Sequence, residues 1–358
     1  MGPAGAEGHP CRGGPRDRAG SLTRPSSRSP AAACATRTSP SSTDRWRRAA
    51  DGPLVPGHEV SGTVVWADGR WESLVGRQVV VPAVWPCNDC ALCRGGRPNA
   101  CTRQRMPGND VRGGFASHVA APAWCLAPLS GTLPEPELVE LAVVADAVAT
   151  PYEAAHRVAL SQGELAVVVG AGGVGGFLVQ IAAAFGASVI ALDVDPERLA
   201  LAAAHGALAT LDVKGLAERD VRARVRDLAD ELRVPKAGWK IFETSGTPPG
   251  QRIAFELLNP AATLCVVGYC RDRIELRLST LMAFDAQAVG IWGCRPQLYP
   301  QAIDLVRQGK VKIGPYVERR ALADVNQVVA EAHSGKLRRR AILVPGGSTA
   351  GTASTEAP

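Results

Sequence analysis

Cys87, Cys90, Cys93 and Cys101 crowd four thiols into the run CNDCALCRGGRPNAC. Two gaps of two residues and one of seven bring four sulfurs round a single lobe, which suits a tetrahedral zinc ion. Four protein ligands leave no position for a substrate, so such a zinc is structural. An iron–sulfur cluster also takes four cysteines, and nucleic-acid-binding zinc ribbons use similar spacing. The basic residues nearby are only Arg94, Arg97, Arg103 and Arg105, with no aromatic side chains between them, which favours structural zinc. Cys125, Cys265, Cys270 and Cys294 sit in apolar runs and read as core residues.

A second constellation is Gly170-Ala171-Gly172-Gly173-Val174-Gly175, a G-x-G-x-x-G run between a strand-like LAVVV and a helix-like apolar stretch. Gly170 makes the tight turn and Gly172 lets the backbone approach a pyrophosphate. Gly175 allows strand and helix to pack closely. Gly173 and Val174 complete the turn, and the helix start offers free N–H groups and a positive dipole end to the phosphates. Asp193 ends the next strand, 18 residues past Gly175, where a carboxylate accepts hydrogen bonds from both ribose hydroxyls. A carboxylate there repels a 2′-phosphate, so NAD is expected over NADP. Arg198 is placed to stack near the adenosine, or is simply a solvated helix residue.

These residues need scaffolds, and 358 residues at 46% hydrophobic suffice for two ordinary domains. From Pro53 to about residue 149, EVSGTVVW, GRQVVVPAVW and GGFASHVAAPA read as a small antiparallel β domain. From 150 to 293, strands alternate with helices: LAVVVG, a helix from Val174, SVIALD, a helix opened by Pro196, WKIFETSG and TLCVVGYC. Such alternation means a doubly wound parallel sheet with right-handed crossovers. A helix around Pro300–Gln308 and the strand RAILV then return the chain, over 294–346, to the β domain. Residues 347–358 read as a low-complexity flexible tail. Leu165–Leu192 carries no charge, but its six glycines argue for strand, turn, helix and strand, not for a membrane span.

Residues 1–52 are different. They hold 13 Gly plus Pro and no Val, Ile, Phe or Tyr, and are expected to be unable to bury enough surface to fold. Nine Arg against three acids in the first 50 residues carry the whole formal net charge of +6. The rest is neutral, which argues against a nucleic-acid partner. No signal peptide pattern is present, and ten cysteines in a chain this long suggest a reducing, cytoplasmic setting.

Gly57-His58-Glu59, the four-cysteine lobe, GGFASHV and the glycine turn together resemble the zinc-dependent medium-chain alcohol dehydrogenases over 53–345. The resemblance implies a GroES-like β catalytic domain beside a Rossmann domain, with the active site in the cleft between them. It implies a homo-oligomer, a small-molecule substrate and two zincs, one structural and one catalytic. By the same resemblance His58 is a catalytic zinc ligand and Glu59 a ligand or a switch behind it. Asp146 is a further ligand, four residues ahead of Thr150 and six ahead of Tyr152. MPGNDVRGGFASHV, VVADAVATPYEA and LMAFDAQAVGIWGCRPQLYP are similar to a branch acting on a cyclic allylic secondary alcohol carried as a CoA thioester. The alternatives are another alcohol, or a non-catalytic NAD-binding relative.

The family's first zinc ligand lies in a G-x-C-H-T-D turn some twenty residues before G-H-E, and this chain lacks it. Cys34 stands nearby in AACATRTSP, with no His or Asp following. The stretch Ala31–Ser39 can be written in codons that, read from one base earlier, encode Gly-Cys-Gly-Val-Cys-His-Thr-Asp-Leu. The expectation is therefore that residues 1–52 are an out-of-frame translation, a transit peptide being the competing reading.

Overall fold

A computed structural model describes residues 54–346 and the backbone of Ala31–Ala33. The frame-shift reading of 1–52, apart from those three residues, and the tail at 347–358 fall outside the described residues.

The first sheet contains β1 (Ala31–Ala33), β2 (Glu59–Thr63), β3 (Gln78–Val81) and β4 (Ala127–Pro128). It is completed by β11 (Val317–Ala321) and β12 (Arg340–Val344), in the order β11-β12-β1-β2-β3-β4. Only β11 and β12 pair in parallel. β1 lies between β2 and β12, so three residues of the stretch expected to lack structure do join the ladder. A backbone free of proline suffices for that, because the ladder is made by main-chain groups. GGFASHVAAPA is not a strand as expected. It runs as irregular chain, with Phe115, Val119 and Ala121 packed against the Val60, Val79, Val81 and Trp85 cluster. Packing of partly buried apolar side chains against that cluster, not ladder pairing, accounts for the pattern that reads as β.

The second sheet is wholly parallel. Its strands are β5 (Leu165–Val169), β6 (Ser188–Asp193), β7 (Ala209–Asp212), β8 (Lys240–Glu243), β9 (Thr263–Val266) and β10 (Gln287–Gly290). Their order is β10-β9-β8-β5-β6-β7, with the winding direction reversing between β5 and β8. β5 is buried at every position, as a strand covered by helices on both faces must be. In such a sheet the crevice beyond the strand ends at the reversal point is where ligands sit.

No helix among the described residues is long and apolar enough to cross a membrane. The Leu165–Leu192 run is instead β5, the helix Gly175–Ala184 and β6.

Candidate functional site

β2 begins at Glu59, so His58 stands at the mouth of the first sheet. The segment Leu141–Ala145 lies fully buried against β2 and ends at Asp146. It is pinned from the far side by Tyr299, whose hydroxyl donates to the Ala145 carbonyl at 2.6 Å. The result is that His58 Nε2 and Asp146 Oδ2, 88 residues apart in sequence, lie 3.1 Å apart. Thr150, on the first turn of the helix Ala149–Arg157, donates its hydroxyl to Asp146 Oδ1 at 2.5 Å. One carboxylate oxygen is thereby fixed and the other is turned to the imidazole. Two donor atoms some 3 Å apart match an edge of a tetrahedral zinc site with bonds of about 2.0–2.2 Å.

Glu59 does not join them. Its carboxylate has no exposed surface and is held elsewhere: Oε1 accepts from the Ala147 N–H at 2.9 Å, and Oε2 pairs with Arg340 Nη1 at 2.7 Å. Of the two roles expected for Glu59, this geometry corrects the direct metal donor and keeps the residue behind His58. A fully buried carboxylate is costly unless paired, and Arg340 provides that pairing. Burial pushes the Glu59 pKa up, against the pull of Arg340. A metal held beside His58 and Asp146 would therefore have two protein donors among the described residues. That is one fewer than a catalytic zinc ordinarily has.

Arg340 was missed in the sequence. It follows Arg338 and Arg339 and so looks like one more residue of a solvated basic run, yet it opens β12 with a side chain only 12% exposed. Its Nη2 lies 3.3 Å from where a Cβ on Gly173 would stand, and its Nε is buried without a partner. One guanidinium thus reaches from Glu59, behind His58, to the glycine turn on the other sheet.

At that turn each glycine has a separate reason. Gly170 has φ +98°, and a Cβ there would meet Ser245 at 2.7 Å. On Gly175 a Cβ would fall 1.7 Å from the Gly170 carbonyl oxygen. Gly172 is open: a Cβ there would meet only the tip of Arg198, at 3.6 Å. The helix proper starts at Gly175, with Val174 just before it. Unfilled space over Gly172, two guanidinium tips beside it, an orphaned Arg340 Nε and a helix start make a cradle that suits a dinucleotide pyrophosphate. Asp193 lies at the end of β6, almost fully buried. Its Oδ2 accepts from Ala171 N–H at 2.7 Å, and its Oδ1 from Val194 and Asp195 N–H at 2.8 and 3.0 Å. Arg198 Nη1 stands 3.8 Å away, so Arg198 belongs to this corner and is not merely solvated. Three N–H groups leave a carboxylate, with about four acceptor positions, limited room for a ribose hydroxyl.

The four cysteines come together as expected. All their sulfurs lie within 4.8 Å of one another, with separations of 3.4 Å (Cys87–Cys101), 3.5 Å (Cys90–Cys93), 3.8 Å (Cys90–Cys101) and 3.9 Å (Cys87–Cys93). A single tetrahedral zinc with bonds of about 2.3 Å requires about 3.8 Å between sulfurs. A multi-iron cluster would need them wider apart. Main-chain N–H groups of Cys87, Cys90 and Arg103 point at the sulfurs, as around a bound thiolate. Backbone hydrogen bonding at Cys93 draws the Cys90 thiol down to about 6, whereas desolvation pushes Cys93 up to about 12. Chelation of a lobe-bound metal, or Cys93→Ser, is expected to lower the thermal midpoint by more than 5 °C and raise protease cleavage within 87–105. An unchanged midpoint and digest would show that the lobe needs no metal.

The two sheets have counterparts among known proteins. Residues 31–131 match the alcohol dehydrogenase GroES-like domain, and 173–308 match the zinc-binding dehydrogenase family. An alcohol dehydrogenase of Geobacillus stearothermophilus is 30% identical over 297 residues, covering 81% of this chain and 82% of the relative. The chain belongs to the zinc-dependent medium-chain alcohol dehydrogenase family. Another relative is the sorbitol dehydrogenase of Bombyx mori, 30% identical over 280 residues, covering 75% of this chain and 76% of its own length. The alcohol dehydrogenase of Aeropyrum pernix superposes with a TM-score of 0.73 at 26% identity, covering 82% of this chain and 83% of that one. Family membership makes the protein an oxidoreductase acting on alcohols, with the two-domain architecture described above.

Proposed function

We propose that the protein oxidises a secondary alcohol to a ketone with NAD, at a site where His58 and Asp146 hold a catalytic zinc and the glycine turn holds the cofactor. The observation that carries this is the 3.1 Å approach of His58 Nε2 to Asp146 Oδ2, joined to the glycine turn through Glu59 and Arg340. A zinc held by His58 and Asp146 would supply the Lewis acidity that lowers an alcohol's pKa, and NAD in the glycine turn would supply the hydride acceptor. The chain's own residues do the rest. Thr150 fixes the orientation of the Asp146 carboxylate. Glu59 keeps Arg340 extended towards Gly173, where its free N–H groups meet a pyrophosphate. Cys87, Cys90, Cys93 and Cys101 hold the structural zinc.

NAD is favoured over NADP on the ground that a carboxylate at the end of β6, Asp193, repels a 2′-phosphate brought to it. Asp193→Asn removes the charge and keeps an acceptor for Val194 and Asp195, at the loss of the bond from the Ala171 N–H. It is expected to shift the ratio of kcat/KM for NAD over NADP by about tenfold towards NADP. An unchanged ratio would assign Asp193 to the loop alone.

For the substrate, the similarity of three segments to 6-hydroxycyclohex-1-ene-1-carbonyl-CoA dehydrogenase favours that thioester, oxidised to its 6-oxo product in anaerobic benzoyl-CoA degradation. Relatives that act on polyols, such as the sorbitol dehydrogenase, support a second reading with a free alcohol. An NADH-production assay with zinc added, run on cyclic alcohols, polyols and CoA-linked alcohols, decides between them. No NADH from any of these would overturn the reading. We place the protein in the cytoplasm as a homo-oligomer, for which the outer edge of β10 is a free pairing surface among the described residues.

A further inference from the structure

A cavity of about 350 Å³ lies between the cysteine lobe, the helix Ala149–Arg157 and the loop that follows β10. Three arginines line it, one from each wall: Arg97, Arg157 and Arg295. Arg295 is neutralised by Glu153, whose buried carboxylate it meets at 2.9 Å. Arg97 and Arg157 have no carboxylate within ion-pair distance among the described residues. The C-terminal end of its helix accounts for a cation at Arg157. It does not account for Arg97 being turned to the same volume from a different element. Trp292 adds a flat apolar wall, its Nε1 donating to Gln104 and its carbonyl accepting from Asn99. These bonds tie the loop to the lobe and give the cavity a fixed shape.

Like charges from separate elements gathered round one cavity are unfavourable unless an anion joins them, and guanidinium forks match phosphate oxygens. The position limits what that anion can belong to. Glu153 lies seven residues beyond Asp146 and Arg157 eleven, on a segment that is helical from Ala149. At about 1.5 Å per residue Glu153 stands roughly 6 Å and Arg157 roughly 12 Å along the helix from Ala149, itself three residues beyond Asp146. A phosphate on the carbon chain of a short sugar alcohol does not span that gap.

We propose that this cavity binds the phosphate groups of a long-tailed substrate, one whose phosphates lie several helical turns along from the carbinol carbon held near Asp146. The assignment deepens the alcohol dehydrogenase reading and rests on it for the identity of the reacting end, while the anion site itself can be tested separately.

The test is calorimetric titration of the full chain, with NAD present to fill the glycine turn. Inorganic pyrophosphate and CoA are the ligands. Both are expected to bind, with affinity falling as salt rises. Both should weaken at least tenfold in the Arg97→Ala, Arg157→Ala double variant and stay unchanged in Arg222→Ala, whose side chain lines a different cavity. Both replaced side chains are exposed, and retained NAD affinity shows that the variant is folded. No binding at low salt, or equal binding in the double variant, overturns the site. Binding of pyrophosphate without CoA would make it a site for free anions and overturn the substrate assignment. If these ligands bind as expected but no alcohol yields NADH, the cavity stands and the dehydrogenase reading falls.

Discussion

Gly175→Ala is expected to destabilise the protein by about 3 kcal/mol or more and to abolish NAD binding, because the new methyl has nowhere to go. It would stand 1.7 Å from the Gly170 carbonyl oxygen and 2.6 Å from Thr244 Oγ1. Thr244 in turn donates to the Gly170 carbonyl at 2.6 Å, so no neighbour can yield cheaply. Gly172→Ala is the informative contrast. Its methyl meets only the tip of Arg198, so stability should change by no more than about 0.5 kcal/mol. Its NAD affinity should nevertheless fall at least about tenfold, since the methyl occupies the space through which the pyrophosphate reaches the backbone. Urea midpoints and NAD titrations of the two variants separate a packing role from a binding role. Equal NAD affinity in Gly172→Ala and the parent would mean that the phosphates lie elsewhere.

Removing Arg340 carries a similarly large effect. Arg340→Ala strips the partner from a carboxylate with no exposed surface, and breaking such a buried pair costs about 3–5 kcal/mol. Because the same guanidinium also faces Gly173, NAD should bind at least tenfold more weakly even in those molecules that remain folded. Arg340→Lys keeps the charge but loses the fork, and should recover part of the stability and less of the NAD affinity. A full loss of stability with untouched NAD affinity would confine Arg340 to holding Glu59.

The dinucleotide half was legible because its signals are local. LAVVV, the glycine turn and SVIALD each encode one element, and β5 and β6 fall where the apolar runs end. The cysteine lobe was legible for the same reason, since spacing along the chain nearly fixes spacing in space. The metal pair was not a local signal. His58 and Asp146 meet across 88 residues, and only family resemblance pointed to Asp146. Glu59 shows the limit of that resemblance: it left ligand and switch both open, and burial with a strand 281 residues away decides where the carboxylate points. Arg340 was hidden by its basic neighbours, because a sequence does not show which arginine of three turns inward. GGFASHVAAPA misled through composition, since irregular chain over a small core needs buried apolar side chains as much as a strand does.

The central claim is that His58 and Asp146 hold a metal facing the cofactor. The direct measurement is zinc binding by calorimetry, starting from protein whose cysteine lobe is already loaded. The account predicts a second, weaker site in the parent chain, absent from both His58→Ala and Asp146→Ala, while the lobe zinc remains in all three. A parent chain that takes up no second zinc, or variants that bind it as the parent does, would contradict it.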